Sequence, residues 1–299
     1  MRKTALFSAI FAGIAGIVLA VLFAVSGLLA NFALTVPPAT HSSFTPATLG
    51  LPYDVKSVTT SDGVHLKGWW VPFPGSAKPP MIIIHGLGAG KEFMVGFIAL
   101  AHQTGHDALV IDLRGHGESD KGITTLGARE PLDIAAWIGL LRQEGHPTPP
   151  ILWGVSLGAV TALRAGAENP VSGVIADAPF DTLRHTLAVH ARLMFNLPEF
   201  PLVPLTAWQI GRRGIPVSEV DSLRAVRQIH APLLVIAAEH DARMSYSSVH
   251  GIYEAGNEPK RFYLIPGEDH ETRKMLPAFR EAVVSFLDLC DAQAAAKVK

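Results

Sequence analysis

Apolar and polar residues follow two different patterns along this chain, and the change between them falls near residue 81. Before it, apolar runs at 55–59 and 64–73 are joined by Asp62-Gly63, a pair typical of a tight turn between antiparallel strands. After it, short apolar runs are separated by segments of helical periodicity; the runs lie at 81–84, 108–111, 151–155, 171–176, 233–237 and 262–265. This strand–helix alternation predicts an α/β fold with a mostly parallel central sheet, helices on both faces and an N-terminal β-hairpin.

The alternation breaks between about residues 181 and 231, where prolines interrupt short helical pieces. An insertion at this point should lie over the C-terminal edge of the sheet, where ligands bind in open α/β folds. We therefore predict a short helical cap over residues 181–231. Its apolar residues exceed what a solvated loop needs, and we expect some of them to line a substrate pocket: Leu193, Met194, Phe195, Leu197, Phe200 and Trp208.

After Arg2 and Lys3, the first 36 residues are uncharged and mostly apolar, broken only by small and polar residues such as Ser8, Ser26 and Asn31. Such a run is long enough to cross a bilayer, which takes about 20 apolar residues. A cleaved signal peptide is the alternative, but its apolar core is shorter and it needs a small-x-small site, which 28–30 does not provide. We predict a signal-anchor transmembrane helix over 1–36, a Pro/Ser-rich linker over 37–50 that tethers the domain, and a catalytic domain over 51–299.

Charge and cysteine content exclude several classes of protein. The net charge is −1, so we expect no nucleic-acid partner, and a single cysteine, Cys290, excludes an internal disulfide. Cys290 lies on the apolar face of the last helical segment, where we expect a buried structural thiol. The sequence lacks H-E-x-x-H and any Cys/His cluster at ligand spacing, so we expect no metal site.

A glycine-rich stretch at 86–91 invites comparison with nucleotide-binding loops. Lys91 occupies the place of the third glycine in the dinucleotide fingerprint. The P-loop pattern also fails, because His85 stands at its first glycine and Glu92 at its Ser/Thr. We therefore expect no cofactor.

The run Gly154-Val155-Ser156-Leu157-Gly158 joins an apolar strand to a helix. A serine flanked by glycines two residues away, between strand and helix, is typical of a strained turn that exposes a nucleophilic hydroxyl. Ser156 is therefore the candidate nucleophile. The backbone N–H of Leu157, directly after it, is a candidate donor to a developing oxyanion.

Five motifs in this order resemble the α/β-hydrolase superfamily over about residues 51–290, with the strongest resemblance to membrane-anchored bacterial serine hydrolases of the monoacylglycerol-lipase-like and serine-aminopeptidase-like branches. The motifs are His85-Gly86-Leu87-Gly88, Asp112-Leu113-Arg114-Gly115-His116-Gly117-Glu118-Ser119, Gly154-Val155-Ser156-Leu157-Gly158, Glu239-His240-Asp241 and Asp269-His270.

The resemblance implies a Ser, acid, His order along the chain. It assigns His270, in the loop after the last strand, as the base, and Asp241, after the preceding strand, as the acid that orients it. Glu239 and Asp177 are competitors for the acid. It also assigns the N–H of Leu87 as the second oxyanion donor, and it leaves the Asp112–Ser119 segment a structural role.

The expected activity is hydrolysis of an ester-like acyl bond through an acyl-enzyme on Ser156. Carboxylic esters are the first expectation for the small-molecule acyl substrate, lipid-like esters among them, followed by thioesters and peptides. A perhydrolase using the same triad and a non-catalytic binding module with the same fold remain alternatives. Because positively charged flanks stay in the cytoplasm, Arg2 and Lys3 predict a single-pass membrane protein whose catalytic domain lies on the non-cytoplasmic side.

Overall fold

A computed structural model describes residues 2–37, 43–270 and 276–298, with side chains from 6 to 296 within those ranges. The described residues form one sheet of eight strands in the order β1-β2-β4-β3-β5-β6-β7-β8. The strands are β1 Asp54–Thr59, β2 His65–Val71, β3 Met81–Ile84, β4 Ala108–Ile111, β5 Ile151–Val155, β6 Gly173–Asp177, β7 Leu233–Ala238 and β8 Lys260–Ile265. β1 and β2 form the predicted antiparallel hairpin, β2 runs antiparallel to β4, and the other neighbours are parallel.

The central strands are buried on both faces, as a parallel sheet between two helical layers requires. Successive residues of β3 point to opposite sides: Ile82 and Ile84 belong to one apolar core, and Ile83 to the other. The first core is covered by α3 (Glu130–Gln143), α4 (Leu157–Glu168), α7 (Ser222–Val226) and α8 (Tyr246–Ala255). The second is covered by α2 (Val95–Gln103) and α9 (Pro277–Val298). The predicted α/β fold with helices on both faces is confirmed.

The region predicted as a cap contains α5 (Leu183–Phe195), α6 (Leu202–Gly211) and a 3-10 turn (Val217–Glu219). Its two ends are hydrogen-bonded to each other: Leu183 N donates to Val220 O at 3.0 Å, and Ser222 N donates to Asp181 O at 2.7 Å. α5 begins at a side-chain cap, where Thr182 accepts from His185 N. The insertion is therefore closed at its base and leaves the domain after β6.

The N-terminal helix α1 (Arg2–Leu34) has 33 residues and is about 50 Å long, longer than the roughly 30 Å hydrocarbon core of a bilayer. Its segment Leu6–Leu34 has a mean hydropathy of 2.6 and is long and apolar enough to cross a membrane, a test that a signal sequence also passes. The side chains of Arg2 and Lys3, on which the predicted orientation depends, lie outside the described residues.

The two ends of α1 have different surroundings. Large apolar side chains from Leu6 to Val21 are exposed, whereas Ser26, Ala30 and Leu34 are fully buried. These three residues are four apart and share one face, which packs on α6 and joins the first apolar core. The last turns of α1 are therefore part of the folded domain.

The chain after α1 also stays on the domain. Leu34 O accepts from Thr124 N at 3.2 Å, and Val36 lies against Gly115. Residues 38–42 of the predicted linker lie outside the described residues, and a 3-10 turn at Pro46–Leu49 precedes β1. Residues 34–37 thus contact the domain directly, and the linker over 37–50 stays a prediction.

Candidate active site

Ser156 lies between the end of β5 and the start of α4, at the carboxyl edge of the parallel strands. Its backbone has φ 54° and ψ −114°, a conformation that costs a non-glycine residue about 1–3 kcal/mol. Its N–H donates to the carbonyl of Asp177 at 2.8 Å, which ties the turn to the neighbouring strand β6. The turn is therefore strained and held in place, as the glycine–serine pattern predicts.

The two glycines of the turn are required by close backbone approaches. A Cβ on Gly158 would lie 2.6 Å from the carbonyl oxygen of His85 and would overlap that of Ile84. A Cβ on Gly154 would overlap the Gly158 carbonyl. Neither neighbour is a flexible side chain, so α4 can pass this close to β3 and β5 only if both positions lack a side chain.

Ser156, His270 and Asp241 are joined by hydrogen bonds. Ser156 Oγ lies 3.1 Å from His270 Nε2, and His270 Nδ1 lies 2.6 Å from Asp241 Oδ2. The other carboxylate oxygen of Asp241 accepts from the N–H groups of Arg243 (2.9 Å) and Met244 (2.8 Å). The structure thus brings together the three side chains that the sequence singled out.

The hydrogen bonds to Asp241 also set its charge. Burial acts to raise the pKa of this carboxyl, but the hydrogen bond and charge of His270 and the two backbone donors outweigh it and hold the pKa below its usual value. Asp241 is therefore ionised at neutral pH. An ionised acceptor at Nδ1 fixes that nitrogen as the donor and leaves Nε2 free to accept the Ser156 proton.

The other carboxylates considered for the acid, Glu239 and Asp177, do not occupy the place of Asp241 beside His270. Glu239 is exposed and accepts from Gly267 N at 2.8 Å, on the turn that follows β8. Asp177 is buried at the end of β6, the strand between β5 and β7, and Asp269 is exposed. Asp241 is the carboxylate in contact with His270.

The loop after β3 lies against Ser156. A Cβ on Gly86 would sit 3.4 Å from Ser156 Cβ, so the following N–H, that of Leu87, belongs to the backbone that borders the hydroxyl. The N–H of Leu157 is the first of α4 and has no intrahelical acceptor. Both predicted oxyanion donors therefore stand on segments that flank Ser156.

Two buried histidines hold this loop, a role that the sequence did not reveal. His85 donates from Nδ1 to Gly86 O at 2.7 Å and accepts at Nε2 from Leu113 N at 3.1 Å. His116 accepts from Gly88 N at 3.2 Å. Burial, with the neighbouring His116, lowers the pKa of His85 to about 4, so the ring is neutral and can make both bonds. The sequence signal that could have indicated this role is that His85 and His116 each lie inside a motif of the superfamily, 85–88 and 112–119.

The segment from Asp112 to Ser119 supports the same loop. The carboxylate of Asp112 accepts from Lys91 N (2.9 Å), Lys91 Nζ (2.5 Å) and Glu118 N (2.9 Å). The Lys91 side chain is only 2% exposed and is also paired with Glu118. Lys91 is thus a structural cation, not a phosphate ligand. Across the described residues, no group of three His, Cys, Asp or Glu could hold a metal ion.

Known proteins share this architecture. A family model for the alpha/beta hydrolase fold matches residues 79–202, the stretch that carries the serine turn and the loop after β3. A Pyrococcus furiosus esterase superposes with a TM-score of 0.68 at 27% identity, over 84% of this chain and 98% of that one. The chain belongs to the α/β-hydrolase superfamily.

Two further likenesses extend the comparison for this α/β-hydrolase. YqkD of Bacillus subtilis, an uncharacterised protein, is 29% identical over 238 residues, which cover 77% of this chain and 78% of YqkD. An acetyl xylan esterase from Paenibacillus superposes with a TM-score of 0.61 at 20% identity, over 87% of this chain and 98% of that one, which shows the shared fold alone.

Proposed function

We propose that this α/β-hydrolase is a serine esterase that cleaves a carboxylic ester through Ser156, His270 and Asp241. The supporting observation is the hydrogen-bonded chain from Ser156 Oγ to His270 (3.1 Å) and on to Asp241 (2.6 Å). A hydroxyl becomes a useful nucleophile when a base removes its proton, and imidazole can do so near neutral pH.

In the first half-reaction, Ser156 Oγ attacks the ester carbonyl carbon while its proton passes to His270 Nε2. Asp241 stabilises the imidazolium through Nδ1. The N–H groups of Leu157 and Leu87 bind the oxyanion, and loss of one such donor typically costs about 3 kcal/mol. The tetrahedral intermediate collapses, the alcohol leaves with the proton from His270, and the acyl group remains on Ser156.

In the second half-reaction, water takes the place of the alcohol. His270 Nε2 removes a proton from this water, whose oxygen attacks the acyl carbon. The second tetrahedral intermediate expels Ser156 Oγ, which recovers its proton from His270, and the carboxylic acid is released. All of these steps use residues of this chain, and no cofactor takes part.

The choice of an ester over a thioester or a peptide as substrate rests on the similarity of this chain to a known esterase. The Pyrococcus furiosus neighbour at 27% identity is an esterase. The same hydrogen-bonded chain could also act on thioesters, on peptides or, with hydrogen peroxide, as a perhydrolase, so the bond type is settled by assay.

We further propose that α1 is a retained membrane anchor and that the catalytic domain lies outside the cytoplasm. The buried face of Ser26, Ala30 and Leu34 supports retention, because cleavage near residue 30 would remove part of the domain's own packing. The segment before this face, residues 6–25, is mostly exposed and has about the 20 residues that a bilayer crossing needs.

The test uses the full-length protein in detergent micelles. Wild type should be labelled by a fluorophosphonate and should hydrolyse a series of acyl esters, whereas Ser156→Ala should do neither and should melt at the wild-type temperature. Absence of labelling in wild type would favour the binding-module reading. Unchanged hydrolysis by Ser156→Ala would exclude the proposed mechanism. A peroxide-dependent halogenation assay tests for the perhydrolase.

A further inference from the structure

An apolar cavity lies between the N-terminal helix and the cap. α1 contributes Leu29, Phe32 and Ala33 to its wall, and α5 contributes Leu187, His190 and Phe195. Its volume is about 40 Å³, enough for a few groups of the size of a water molecule. Phe32 and Phe195 meet edge to face across it, with ring centroids 5.2 Å apart.

The polar groups in the cavity wall are already hydrogen-bonded. His190 Nδ1 donates to the Thr186 carbonyl at 2.9 Å, and Thr206 Oγ1 lies 3.5 Å from the Ser26 carbonyl. A cavity of aliphatic and aromatic side chains with satisfied polar groups suits an apolar occupant and offers no site for a charged one.

The two walls of the cavity belong to elements that also reach the surroundings of Ser156. Four residues after Ala33, Pro37 packs on the loop after β3. A Cβ on Gly88 of that loop would lie 3.3 Å from Pro37 Cγ. On the cap side, burial lowers the pKa of the His190 imidazole, and the charges of His270 and Asp241 also act on it. The two walls of the cavity, α1 and α5, therefore continue toward the loop after β3 and toward the surroundings of His270.

The two ends of α1 then have different roles. The exposed end, from Leu6 to Val21, has the apolar composition of a bilayer segment and belongs to the span Leu6–Leu34 that is long enough to cross one. The buried end is fastened to the cap by Gln209, whose Nε2 donates to Phe23 O at 3.1 Å and to Ser26 Oγ at 3.2 Å. Phe23 also stacks edge-on against Trp208.

We infer that the cavity between α1 and α5 binds the acyl chain of the ester substrate, so that the N-terminal helix forms one wall of the substrate site. The inference rests on the proposed esterase function and names its substrate class: amphiphilic esters whose acyl chain enters along α1. The cavity as it stands admits only the end of a short acyl chain, and a longer chain must displace Phe32 or Phe195.

The test measures kcat/KM for p-nitrophenyl esters from acetyl to dodecanoyl, with the full-length protein in detergent micelles. Phe32→Ala enlarges the cavity and should raise the ratio of octanoyl to butyryl hydrolysis at least about tenfold, because one methylene in an apolar pocket changes selectivity by that factor. Ala33→Phe fills the cavity and should lower the ratio by a similar factor.

Matched controls come from the same helix. Phe11→Ala and Ala24→Phe make the same exchanges at exposed positions outside the cavity and should keep the wild-type ratio. If Ala33→Phe fails to fold, Phe32→Ala still decides the matter, because Phe32 is half exposed. A wild-type ratio in Phe32→Ala, with fluorophosphonate labelling of Ser156 retained, would overturn this inference and leave the esterase proposal intact. Absence of labelling in wild type would overturn both.

Discussion

Asp241 and His270 are joined by a hydrogen bond of 2.6 Å between Oδ2 and Nδ1, although they belong to loops after two different strands. The carboxylate side chain is fully buried, and its second oxygen is held by the N–H groups of Arg243 and Met244. This geometry fixes the imidazole orientation and the tautomer that can accept a proton from Ser156.

Asp241→Asn should therefore reduce kcat about 10⁴-fold with little change in stability, because an amide at this position favours the wrong imidazole tautomer. The measurement is kcat on a short acyl ester, with thermal melting as the check on folding. Asp177→Asn and Glu239→Gln are the controls and should each cost far less. A larger loss of kcat from Asp177→Asn than from Asp241→Asn would show that Asp177, at the end of β6, is the acid of the triad.

Gly158→Ala should prevent the serine turn from forming. Its Cβ would meet two backbone carbonyls, one of them His85 O at 2.6 Å, and backbone at this depth cannot move aside cheaply. We expect a loss of at least about 3 kcal/mol in the free energy of unfolding, together with loss of fluorophosphonate labelling.

The matched control is Gly139→Ala. Gly139 lies in α3, and a Cβ there meets nothing within 4 Å. Since alanine is the better helix former by about 1 kcal/mol, this variant should be as stable as wild type or more so and should keep full labelling. Equal behaviour of the two variants would contradict the steric account of Gly158.

The stability of the protein should fall with acidification below pH 6.5, in part through His85. Its pKa is lowered to about 4 in the folded protein, against 6.5 for the ordinary imidazole, so between these values the unfolded chain binds a proton that the folded protein does not. By linkage, stability rises with pH across this window, and the full shift is worth about 3 kcal/mol.

This slope is measurable by urea unfolding, followed by tryptophan fluorescence from pH 4 to 7. His85→Gln should be less stable than wild type at pH 7 and should show a flatter slope, since it removes the titrating group. His230→Gln replaces an exposed histidine and should keep the wild-type slope. An unchanged slope in His85→Gln would assign the acid sensitivity to other groups.

The membrane orientation can be tested with reporters fused to the C-terminus. A reporter active only outside the cytoplasm should give signal, and one active only inside should not, because positively charged flanks such as Arg2 and Lys3 favour a cytoplasmic N-terminus. Strong activity of the cytoplasmic reporter would show that the orientation is the opposite of the one predicted. Recovery of a soluble protein that begins near Asn31 would show instead that α1 is cleaved.

Much of the fold was predictable because its signals are local. Apolar runs of strand length, separated by helical periodicity, predicted the parallel sheet, and the structure confirms each strand to within a few residues. The serine turn was predictable because glycine two residues either side of Ser156 is a steric requirement of strand and helix crossing closely. His270 and Asp241 were assigned by the resemblance to the α/β-hydrolase superfamily, and both follow parallel strands whose carboxyl ends meet at one edge of the sheet. Their catalytic roles stay predictions.

The sequence by itself thus determined the sheet, the serine turn and the apolar character of α1. Only the tertiary structure decided what α1 packs against, because Ser26, Ala30 and Leu34 are as apolar or small as a membrane segment allows, and hydropathy does not distinguish lipid from protein as the surrounding. The same holds for His85 and His116. Their partners, Leu113 N and Gly88 N, each lie 28 residues away along the chain. A histidine's role depends on which N–H and carbonyl groups surround it, and folding alone brings those groups together.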